Sequence, residues 1–479
     1  MTKSLASLIG SLDLPTKPEW NEIQVTGVTE DSRNVERGSL FIAIEGLRRD
    51  GHDYIEEAIS RGAAAIVAER DTPSKVPLIT VSNPRRALAG LSAAFFGNPT
   101  QRLFTIGTTG TNGKTTVCHL VAQLLGKEKT AVVSTVANDW RGIRGVTTPS
   151  SPILQRLAGE ALLGGKKNLV IEASSAGLAL HRLDFVDFDV AVFTNLTHDH
   201  LDLHRTTESY LQAKLALFRS LEEEGYAIVN ADDPMTSHFL AASRAQCITY
   251  GLDNEADLTA GSIDYGEHAT SFSLFWKEER FPIEIRLPGE HNLYNALAAA
   301  AVGLAKGEDI DLIADRLGSA ESVEGRFQFL RARSGACVVI DYAHSPDSLE
   351  RMLAALRKSH PRVVAVFGCS GCSDRPKRPV MGATSGKMAD LTIITTDNPK
   401  TEDPERILDE IEQGLKITGG DYLRIADRAE AVCKAVSSAK EGDAVLIAGK
   451  GHERYQIVDE DFVPYSDLEV LSEAGLIEP

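Results

Sequence analysis

Short apolar runs alternate with helical segments along most of the chain. Near the N-terminus the runs "SLFIAIEG", "AAAIVAE" and "PLITV" alternate with "YIEEAISRGA" and "RRALAGLSAAFFG", a pattern that indicates a small α/β unit. After "GNPTQ", a second unit opens with "RLFTIG" and continues through "LVIEAS", "DVAVFTN" and "YAIVNADD" to the helix "NLYNALAAAAVGLA". Strands that alternate with helices in this way form a parallel sheet covered by helices on both faces.

A third unit follows "GRFQFLRARSG" and contains the runs "CVVIDYA", "VVAVFG", "LTIITTDN" and "AVLIAGKG". Each run ends in a polar or glycine-rich turn, which is where doubly wound, Rossmann-like folds bind their ligands. The pattern therefore predicts an α/β protein of three domains, at residues 1–98, 99–329 and 330–479. A chain of 479 residues is too long for one hydrophobic core, which agrees with this division.

Composition and charge narrow the class of partner. The formal net charge of -18 predicts no nucleic-acid partner, because phosphate backbones need a basic face. Anionic small molecules can still bind at sites where a local lysine, arginine or metal ion offsets the negative electrostatic field of the protein. The chain contains no run of about 18 apolar residues. Its six cysteines lie mostly within apolar segments, so we expect a soluble cytoplasmic protein without a membrane partner.

Cys369 and Cys372 form a lone C-x-x-C in "GCSGCSD". A structural zinc site needs four ligands, and no second pair follows. The pattern favours a coincidence within a loop over a redox or metal role.

The stretch "FTIGTTGTNGKTTVCHLVAQLL" predicts a phosphate-binding loop between a strand and a helix. Thr108 occupies the first glycine position of the strict motif, but the later glycines still allow backbone amides to curl around phosphates at a helix start. Lys114 would reach the β- and γ-phosphates, and Thr115 would hold Mg²⁺. The alternative is a plain glycine turn. The predicted ATP-binding residues of the loop are Gly110, Thr111, Asn112, Gly113, Lys114, Thr115 and Thr116.

Two further strands end in groups suited to a metal. "LVIEASS" supplies Glu172, and "AVFTNLTHDHLDLH" supplies His198, Asp199, His200, Asp202 and His204. Such donors beside a triphosphate suit a second Mg²⁺, although the histidine cluster alone is also compatible with zinc or with a capped helix start. Lys214, in "YLQAK", is by default a solvated lysine.

Ten stretches, in order along nearly the whole chain, resemble the Mur ligase family and within it the UDP-N-acetylmuramoyl-tripeptide synthetases. They are "GTTGTNGKTT", "IEASS", "FTNLTHDHLDLH", "YLQAK", "GEHNLYNALAA", "GRFQ", "DYAHSPDSL", "KRPVMG", "DNPKTEDP" and "GKGHE". The N-terminal "DSRNVERGSLFIAIEG" is also typical of this branch. The resemblance implies an enzyme of peptidoglycan precursor synthesis that uses ATP and Mg²⁺. ATP phosphorylates the γ-carboxylate of UDP-MurNAc-L-Ala-D-Glu, and the amine of an incoming amino acid displaces the phosphate.

The resemblance also implies residue roles. Lys214 matches a lysine that the family carbamylates with CO₂, which creates an anion able to ligate Mg²⁺ beside Glu172 and His200. The implied catalytic residues are Lys114, Glu172, His200, Lys214 and Arg326, with Asn292, Asn295 and Asp341 on the nucleotide side. The implied UDP-substrate residues of the N-terminal UDP-binding domain and its neighbour are Glu30, Ser32, Leu47, Arg48, Arg49, Thr147, Thr148, Ser174 and Arg182.

The implied acceptor residues of the third domain are Ser373, Asp397, Asn398, Lys400, Gly449 and Glu453. Relatives that add meso-diaminopimelate carry arginine at the positions of Ser373 and Lys400, because the planar guanidinium grips a carboxylate with two hydrogen bonds. Arg375 would substitute only if its loop shifted. Val146 and Leu180 also stand where relatives often carry asparagine and glutamine.

Meso-diaminopimelate is the leading acceptor, and the alternatives are another amino acid or a nucleotide-binding regulator without ligase activity. A sibling folylpolyglutamate synthase is disfavoured by "DSRNVERGSLF" and "DNPKTEDP". We expect a monomer that binds only small-molecule substrates.

Overall fold

The computed structural model describes residues 1–46, 49–197, 201–266 and 268–478, and three larger sheets divide them into consecutive α/β regions. In the N-terminal region the strands are β1 (Lys3–Ser4), β2 (Gln24–Val25), β3 (Gly27–Thr29), β4 (Ser39–Ile42), β5 (Ala65–Ala68) and β6 (Leu78–Thr80), and the helices are α1 (Leu5–Gly10), α2 (Ile55–Ser60) and α3 (Pro84–Phe96). Strands β3 to β6 form a parallel sheet in sequential order, and β1 pairs with β2 antiparallel.

The central region is built around the longest sheet. Its strands are β7 (Phe104–Thr109), β8 (Thr130–Val133), β9 (Asn168–Glu172), β10 (Val190–Phe193), β11 (Tyr226–Asn230), β12 (Gln246–Gly251), β13 (Leu258–Tyr265), β14 (Thr270–Trp276) and β15 (Glu279–Ile285). Its helices are α4 (Lys114–Leu124), α5 (Thr135–Trp140), α6 (Ser151–Leu163), α7 (Ser175–Ala179), α8 (Leu201–His204), α9 (Thr207–Arg219), α10 (Thr236–Ala242), α11 (Glu290–Ala305) and α12 (Ile310–Gly318).

The order of this central sheet is β15-β14-β13-β12-β11-β10-β7-β9-β8. The seven strands β7 to β13 are parallel, which confirms the predicted parallel sheet, whereas β14 and β15 extend the sheet by antiparallel pairing. The sequence analysis did not foresee this edge. Buried and exposed residues alternate along β15, as expected for an edge with one solvated face.

The C-terminal region is a second parallel sheet with one antiparallel edge strand. Its strands are β16 (Gln328–Arg331), β17 (Cys337–Asp341), β18 (Arg362–Phe367), β19 (Leu391–Ile394), β20 (Tyr422–Arg424), β21 (Asp443–Ala448), β22 (Tyr455–Val458) and β23 (Asp461–Pro464). Its helices are α13 (Pro346–Ser359), α14 (Lys377–Met388), α15 (Pro404–Thr418), α16 (Arg428–Ser438) and α17 (Asp467–Glu473).

In this sheet the order is β16-β17-β21-β18-β19-β20, with β16 antiparallel to β17, and β22 and β23 form a separate hairpin. Because β16 begins at Gln328, the predicted limit between residues 329 and 330 falls inside a strand that pairs with β17.

Chemically distinctive residues follow the carboxyl ends of parallel strands, where doubly wound sheets bind ligands. Gly110 follows β7, Glu172 and Asp341 end β9 and β17, and Gly449 follows β21. The preceding strands are apolar because both faces are covered, and every residue of β9 and β21 is buried.

Polar contacts join the central and C-terminal regions. Asn112 Nδ2 donates to Asp347 Oδ2 at 2.7 Å, and the Tyr455 hydroxyl donates to Asp139 Oδ2 at 3.2 Å. The carboxyl ends of the two sheets therefore face a shared space. In the ranges described above, every helix falls short of the length and apolar character needed to cross a membrane.

Candidate active site

The phosphate loop connects β7 to α4 and depends on two glycines. Gly110 has φ 148°, and a Cβ there would overlap the hydroxyl of Thr194. Gly113 caps α4 with φ 85°, and a Cβ there would overlap Oδ1 of Asn295. Both positions favour glycine because of backbone conformation and lack of space. The loop is therefore a constrained strand-to-helix turn of the kind that presents amides to phosphates.

A hydroxyl, a carboxylate and a guanidinium meet at the start of α4. Thr115 Oγ1 donates to Glu172 Oε2 at 3.0 Å and accepts from Arg326 Nη2 at 3.0 Å. Lys114 Nζ donates to the carbonyl of Thr111 at 2.7 Å, so its ammonium lies over the loop. The structure thus brings together three of the five predicted catalytic residues, Lys114, Glu172 and Arg326, at the start of α4. Lys214 contacts the same loop at Gly110, and His200 lies outside the described residues.

Lys214 lies on α9 and is 1% exposed, which excludes the alternative of a solvated lysine. Its Nζ donates to the carbonyl of Gly110 at 2.7 Å and lies 4.4 Å from the ring centre of Tyr210. The Tyr210 hydroxyl is in turn 3.1 Å from Thr111 Oγ1. Helix α9 therefore packs a charged group directly beneath the phosphate loop.

The predicted nucleotide-side residues lie near the loop on α11 and β17. Asn292 Nδ2 donates to the carbonyl of Pro288 at 3.0 Å, and Asn295 Nδ2 donates to Asn292 Oδ1 at 3.3 Å. Asp341 is buried, and its carboxylate accepts from the amides of Phe327 and Ala343, both at 2.7 Å. Burial raises the pKa of Asp341, and Arg326 opposes that shift.

A larger cavity of about 1040 Å³ joins these groups to the predicted dipeptide side. Arg182 Nη1 donates to the carbonyl of Thr148 at 2.7 Å, and Thr148 Oγ1 is 2.9 Å from Ser174 Oγ. Val146 lines this cavity, whereas Leu180 follows α7 outside its lining. The predicted residues that line it are the loop residues 110–116 and Glu172, Lys214, Asn292, Asn295, Arg326, Asp341, Thr147, Thr148, Ser174 and Arg182.

Three of the remaining UDP-side residues, Glu30, Ser32 and Arg49, lie in the N-terminal region, outside the lining of the larger cavity. Ser32 Oγ donates to Glu57 Oε2 at 3.3 Å, and Arg49 is exposed. Burial lowers the pKa of the cavity residue Arg182, and the negative charge of Glu30 opposes that shift. The two side chains therefore interact electrostatically. Arg85, which the sequence analysis missed, faces Glu30 in the same way.

A smaller cavity of about 130 Å³ lies in the C-terminal region. Tyr342 and His344 line both cavities, so the two spaces meet at the turn after β17. The structure brings all the predicted acceptor residues to this cavity: Ser373, Asp397, Asn398, Lys400, Gly449 and Glu453.

A buried hydrogen-bond network holds the acidic and amide residues that line the smaller cavity. Lys450 Nζ donates to Asn398 Oδ1 at 2.9 Å and to Glu453 Oε2 at 2.7 Å. Burial opposes the ionisation of Asp397, but the charges of Lys450 and Arg428 lower its pKa below the ordinary value. These two cations therefore favour the charged form of Asp397, which lines the cavity together with Glu453.

Lys400 lines the smaller cavity in left-handed backbone, with φ 53°. Its amide donates to the carbonyl of Ile457, and its carbonyl accepts from the amide of Asp459, both at 2.9 Å. The hairpin of β22 and β23 therefore holds the backbone of Lys400. Arg375 does not replace the missing arginine, because its guanidinium pairs with Glu410 outside the cavity lining.

Several predicted residues lie outside the described residues, namely Leu47, Arg48, His198, Asp199 and His200. Among the residues that the structure does describe, no cluster of three His, Cys, Asp or Glu side chains forms a metal site.

The C-x-x-C pair forms no disulfide. Cys369 is buried with Sγ 3.7 Å from Met381 Sδ, and burial raises its pKa to about 12. Cys372 is an exposed free thiol whose amide donates to Glu402 Oε2 at 3.0 Å. The geometry agrees with a coincidence within a loop.

Comparison with known proteins identifies the family. The chain is 42% identical over 458 residues to UDP-N-acetylmuramoyl-L-alanyl-D-glutamate--2,6-diaminopimelate ligase of Geobacillus thermodenitrificans, covering 93% of this chain and 94% of that protein. The chain belongs to the Mur ligase family. Family models match at residues 24–96 (Mur ligase family, catalytic domain), 108–303 (Mur ligase middle domain) and 325–451 (Mur ligase, glutamate ligase domain). The predicted family resemblance is confirmed.

Other Mur ligases support the same assignment. The ligase of the same name from Bacillus velezensis is 40% identical and covers 99% of this chain and 98% of its own. A solved structure of UDP-N-acetylmuramoyl-L-alanyl-D-glutamate--2,6-diaminopimelate ligase superposes with a TM-score of 0.68 at 31% identity, covering 99% of both chains. The MurF ligase of Thermotoga maritima, solved in complex with ADP, shares the fold at 21% identity, with a TM-score of 0.64 over 94% of this chain and 96% of its own.

The sequence analysis gave no role to two groups of residues in this Mur ligase site. The first is Lys450, which lies inside the quoted "GKGHE" and could have been found from that motif. Arg428 and Asp467 form a fully buried pair at 2.8 Å, and Arg428 also donates to the carbonyl of Ala448 at 3.0 Å. This pair supports the end of β21 just before Gly449, and no local sequence pattern predicts the pair.

Proposed function

We propose that the protein is an ATP-dependent ligase that adds an amino acid to UDP-N-acetylmuramoyl-L-alanyl-D-glutamate in peptidoglycan precursor synthesis. The favoured acceptor is meso-diaminopimelate, as in the names of the relatives. The alternatives are the same ligation with another amino acid, or nucleotide binding without ligation.

The observation that carries this proposal is the meeting of two cavities. The phosphate loop and Arg182 line the larger cavity, while Gly449 and Glu453 line the smaller one. Tyr342 and His344 line both. A ligase that joins two substrates through an activated carboxyl group needs adjoining spaces of this kind.

The residues divide the chemistry between them. Lys114 and the loop amides bind the ATP phosphates, and Arg326 stabilises the negative charge that develops during transfer. The γ-carboxylate of D-glutamate attacks the γ-phosphorus, ADP leaves and an acyl phosphate forms. The acceptor amine enters past Tyr342 and His344, attacks the acyl carbon and releases phosphate, and the nitrogen loses a proton.

Mg²⁺ fits the donor set at the start of α4. Thr115 and Glu172 offer hard oxygen donors 3.0 Å apart, and Mg²⁺ binds carboxylates together with substrate phosphates. We propose that Thr115, Glu172, His200 and a carbamylated Lys214 hold it. Bound there, the ion would neutralise the charge on the phosphates.

The carbamylation of Lys214 is part of this proposal and rests on the family resemblance and on burial. Carbamylation of the buried Lys214 would replace its ammonium with an anion that a cation can pair with. The contact between Lys214 and Gly110 places that group at the phosphate loop.

We further propose that residues 1–98 bind the UDP moiety through Glu30, Ser32 and residues 47–49, that residues 99–329 bind ATP, and that residues 330–479 bind the acceptor. The last limit fits better before Gln328, because β16 belongs to the C-terminal sheet. We expect a cytoplasmic monomer.

The test is to supply ATP, the UDP-MurNAc-dipeptide and a panel of amino acids, and to determine the mass of the products. We expect an amide product with meso-diaminopimelate and no turnover in Lys114→Ala. Near-normal activity of Lys114→Ala would overturn the assignment of the loop. Phosphate release that does not depend on an acceptor would favour a nucleotide-binding regulator.

A further inference from the structure

The smaller cavity is lined by a lysine to which the sequence analysis gave no role, although it opens the quoted "KRPVMG". Lys377 is the first residue of α14, and it lines this cavity together with Ser373 and Lys400. Ser373 stands where related ligases carry an arginine, so the cavity lacks the guanidinium that would be expected there. The question is which cation, if any, compensates for this loss.

The arginines of the same segment are not available. Arg378 is fully buried with Nη1 at 2.8 Å from Glu410 Oε2, and Arg375 pairs with the other oxygen of Glu410. Lys377 and Lys400 differ from them, because neither ammonium has an ion-pair partner among the residues that the structure describes. Both residues are half-buried and line the cavity.

The same cavity also has an acidic side. Asp397 and Glu453 are buried, and Glu453 Oε1 accepts from the Tyr342 hydroxyl at 3.3 Å while its other oxygen accepts from Lys450. A cavity of about 130 Å³ has room for several polar groups, since a single water needs only about 10–15 Å³. The lining therefore carries both charges, with Lys377 and Lys400 beside the carboxylates of Asp374, Asp397 and Glu453. A lining of both charges fits an amino-acid centre, which carries a carboxylate and an ammonium.

We infer that Lys377 is a specificity-determining residue that, with Lys400, binds the distal carboxylate of the acceptor in place of the arginine missing at position 373. Two point charges from different elements, α14 and the turn after β19, take over the role of a planar guanidinium fork. This inference rests on the proposed ligase function and names the feature of the acceptor that this chain selects.

The test compares acceptors that differ in the distal carboxylate. Steady-state kinetics of Lys377→Met would be measured with meso-diaminopimelate and with L-lysine, which has the same chain length but no distal carboxylate. The matched control is Lys387→Met, which removes an exposed lysine from the same helix. Thermal unfolding of each variant checks that the fold is retained, and Lys377→Gln serves as a second variant.

We expect Lys377→Met to raise KM for meso-diaminopimelate by about tenfold or more, as for the loss of one charge-assisted bond, with kcat and the KM for ATP nearly unchanged. KM for L-lysine should stay constant or fall, and Lys387→Met should behave as the parent protein. Adding Ser373→Arg to Lys377→Met should restore much of the lost affinity.

Equal effects of Lys377→Met on both acceptors, or no effect on either, would overturn the inference while leaving the ligase assignment intact. If the parent protein joins no amino acid to the UDP-MurNAc-dipeptide, the proposed function itself fails. The two failures are therefore distinguishable in one set of assays.

Discussion

Gly113 provides the sharpest test of the phosphate loop, because the chain contains a matched glycine at the other end of the same helix. Gly113 precedes α4 with φ 85°, and Gly126 follows it with φ 91°. A Cβ at Gly126 meets nothing within 4 Å, whereas a Cβ at Gly113 overlaps Oδ1 of Asn295. Substitution by alanine thus imposes the same backbone strain at both sites and a steric overlap at only one.

The expected magnitude follows from these contacts. An alanine in left-handed backbone costs about 1–2 kcal/mol at either position. At position 113, Asn295 must also turn away and lose its 3.3 Å hydrogen bond to Asn292, which is worth about 1 kcal/mol. The loop relieves this strain by leaving the conformation that binds phosphates. Nucleotide affinity should therefore fall by about 2–3 kcal/mol, or roughly 30- to 150-fold.

Calorimetric titration with ADP or a non-hydrolysable ATP analogue measures this loss directly. Gly126→Ala should bind within about twofold of the parent protein, with its strain visible only as lower stability in thermal unfolding. If Gly113→Ala and Gly126→Ala bind the nucleotide equally well, the loop between Gly110 and Thr116 does not hold the phosphates and the reasoning is refuted.

Three other predictions concern the acceptor, the modified lysine and closure. Lys400→Ala keeps the Cβ and hence the backbone conformation, so it should lower kcat/KM by about 5- to 150-fold, or about 1–3 kcal/mol, for acceptors with a distal carboxylate while sparing neutral acceptors. Lys400→Arg should raise kcat/KM for meso-diaminopimelate. An equal change for all acceptors would show that Lys400 is only a surface charge. Lys214→Ala should be inactive and regain activity with a short-chain carboxylic acid, and an active parent protein without label from ¹³CO₂ would contradict carbamylation. Solution scattering should show compaction with an ATP analogue plus the UDP-substrate, because Arg326 and Asp341 near the junction must meet a nucleotide held at Lys114, and an unchanged radius would count against closure.

The sequence predicted the parts of the site that are local in the chain. A strand, a glycine turn and a helix start are encoded within a dozen or so residues, so the loop around Lys114 and the end of β9 at Glu172 could be assigned before the structure was known. The acceptor residues Asn398 and Gly449 were implied by the family resemblance, and both line the smaller cavity.

Sequence reasoning failed where the outcome depends on partners distant in the chain. Whether Arg375 or Lys377 faces the smaller cavity is decided by Glu410 on α15, which binds the arginine. The antiparallel edge of β14 and β15 was missed because the sequence analysis looked for strands that alternate with helices, and no helix lies between β13, β14 and β15. The burial of Lys214 likewise depends on the packing of α9 against the phosphate loop.

Contacts through the turn after β17 connect the two cavities physically. The Arg326 guanidinium lies 4.5 Å from the ring centre of Tyr342 and donates to Thr115, while the Tyr342 hydroxyl donates to Glu453. The carboxylate of Asp341 accepts from the amides of Phe327 and Ala343, which follow Arg326 and Tyr342 in the chain, so it links the two segments. We therefore expect a nucleotide that orders Arg326 to order Tyr342 in the wall of the smaller cavity as well. By thermodynamic linkage, an acceptor that orders Tyr342 should then raise the affinity for the nucleotide by the same factor by which the nucleotide raises the affinity for the acceptor.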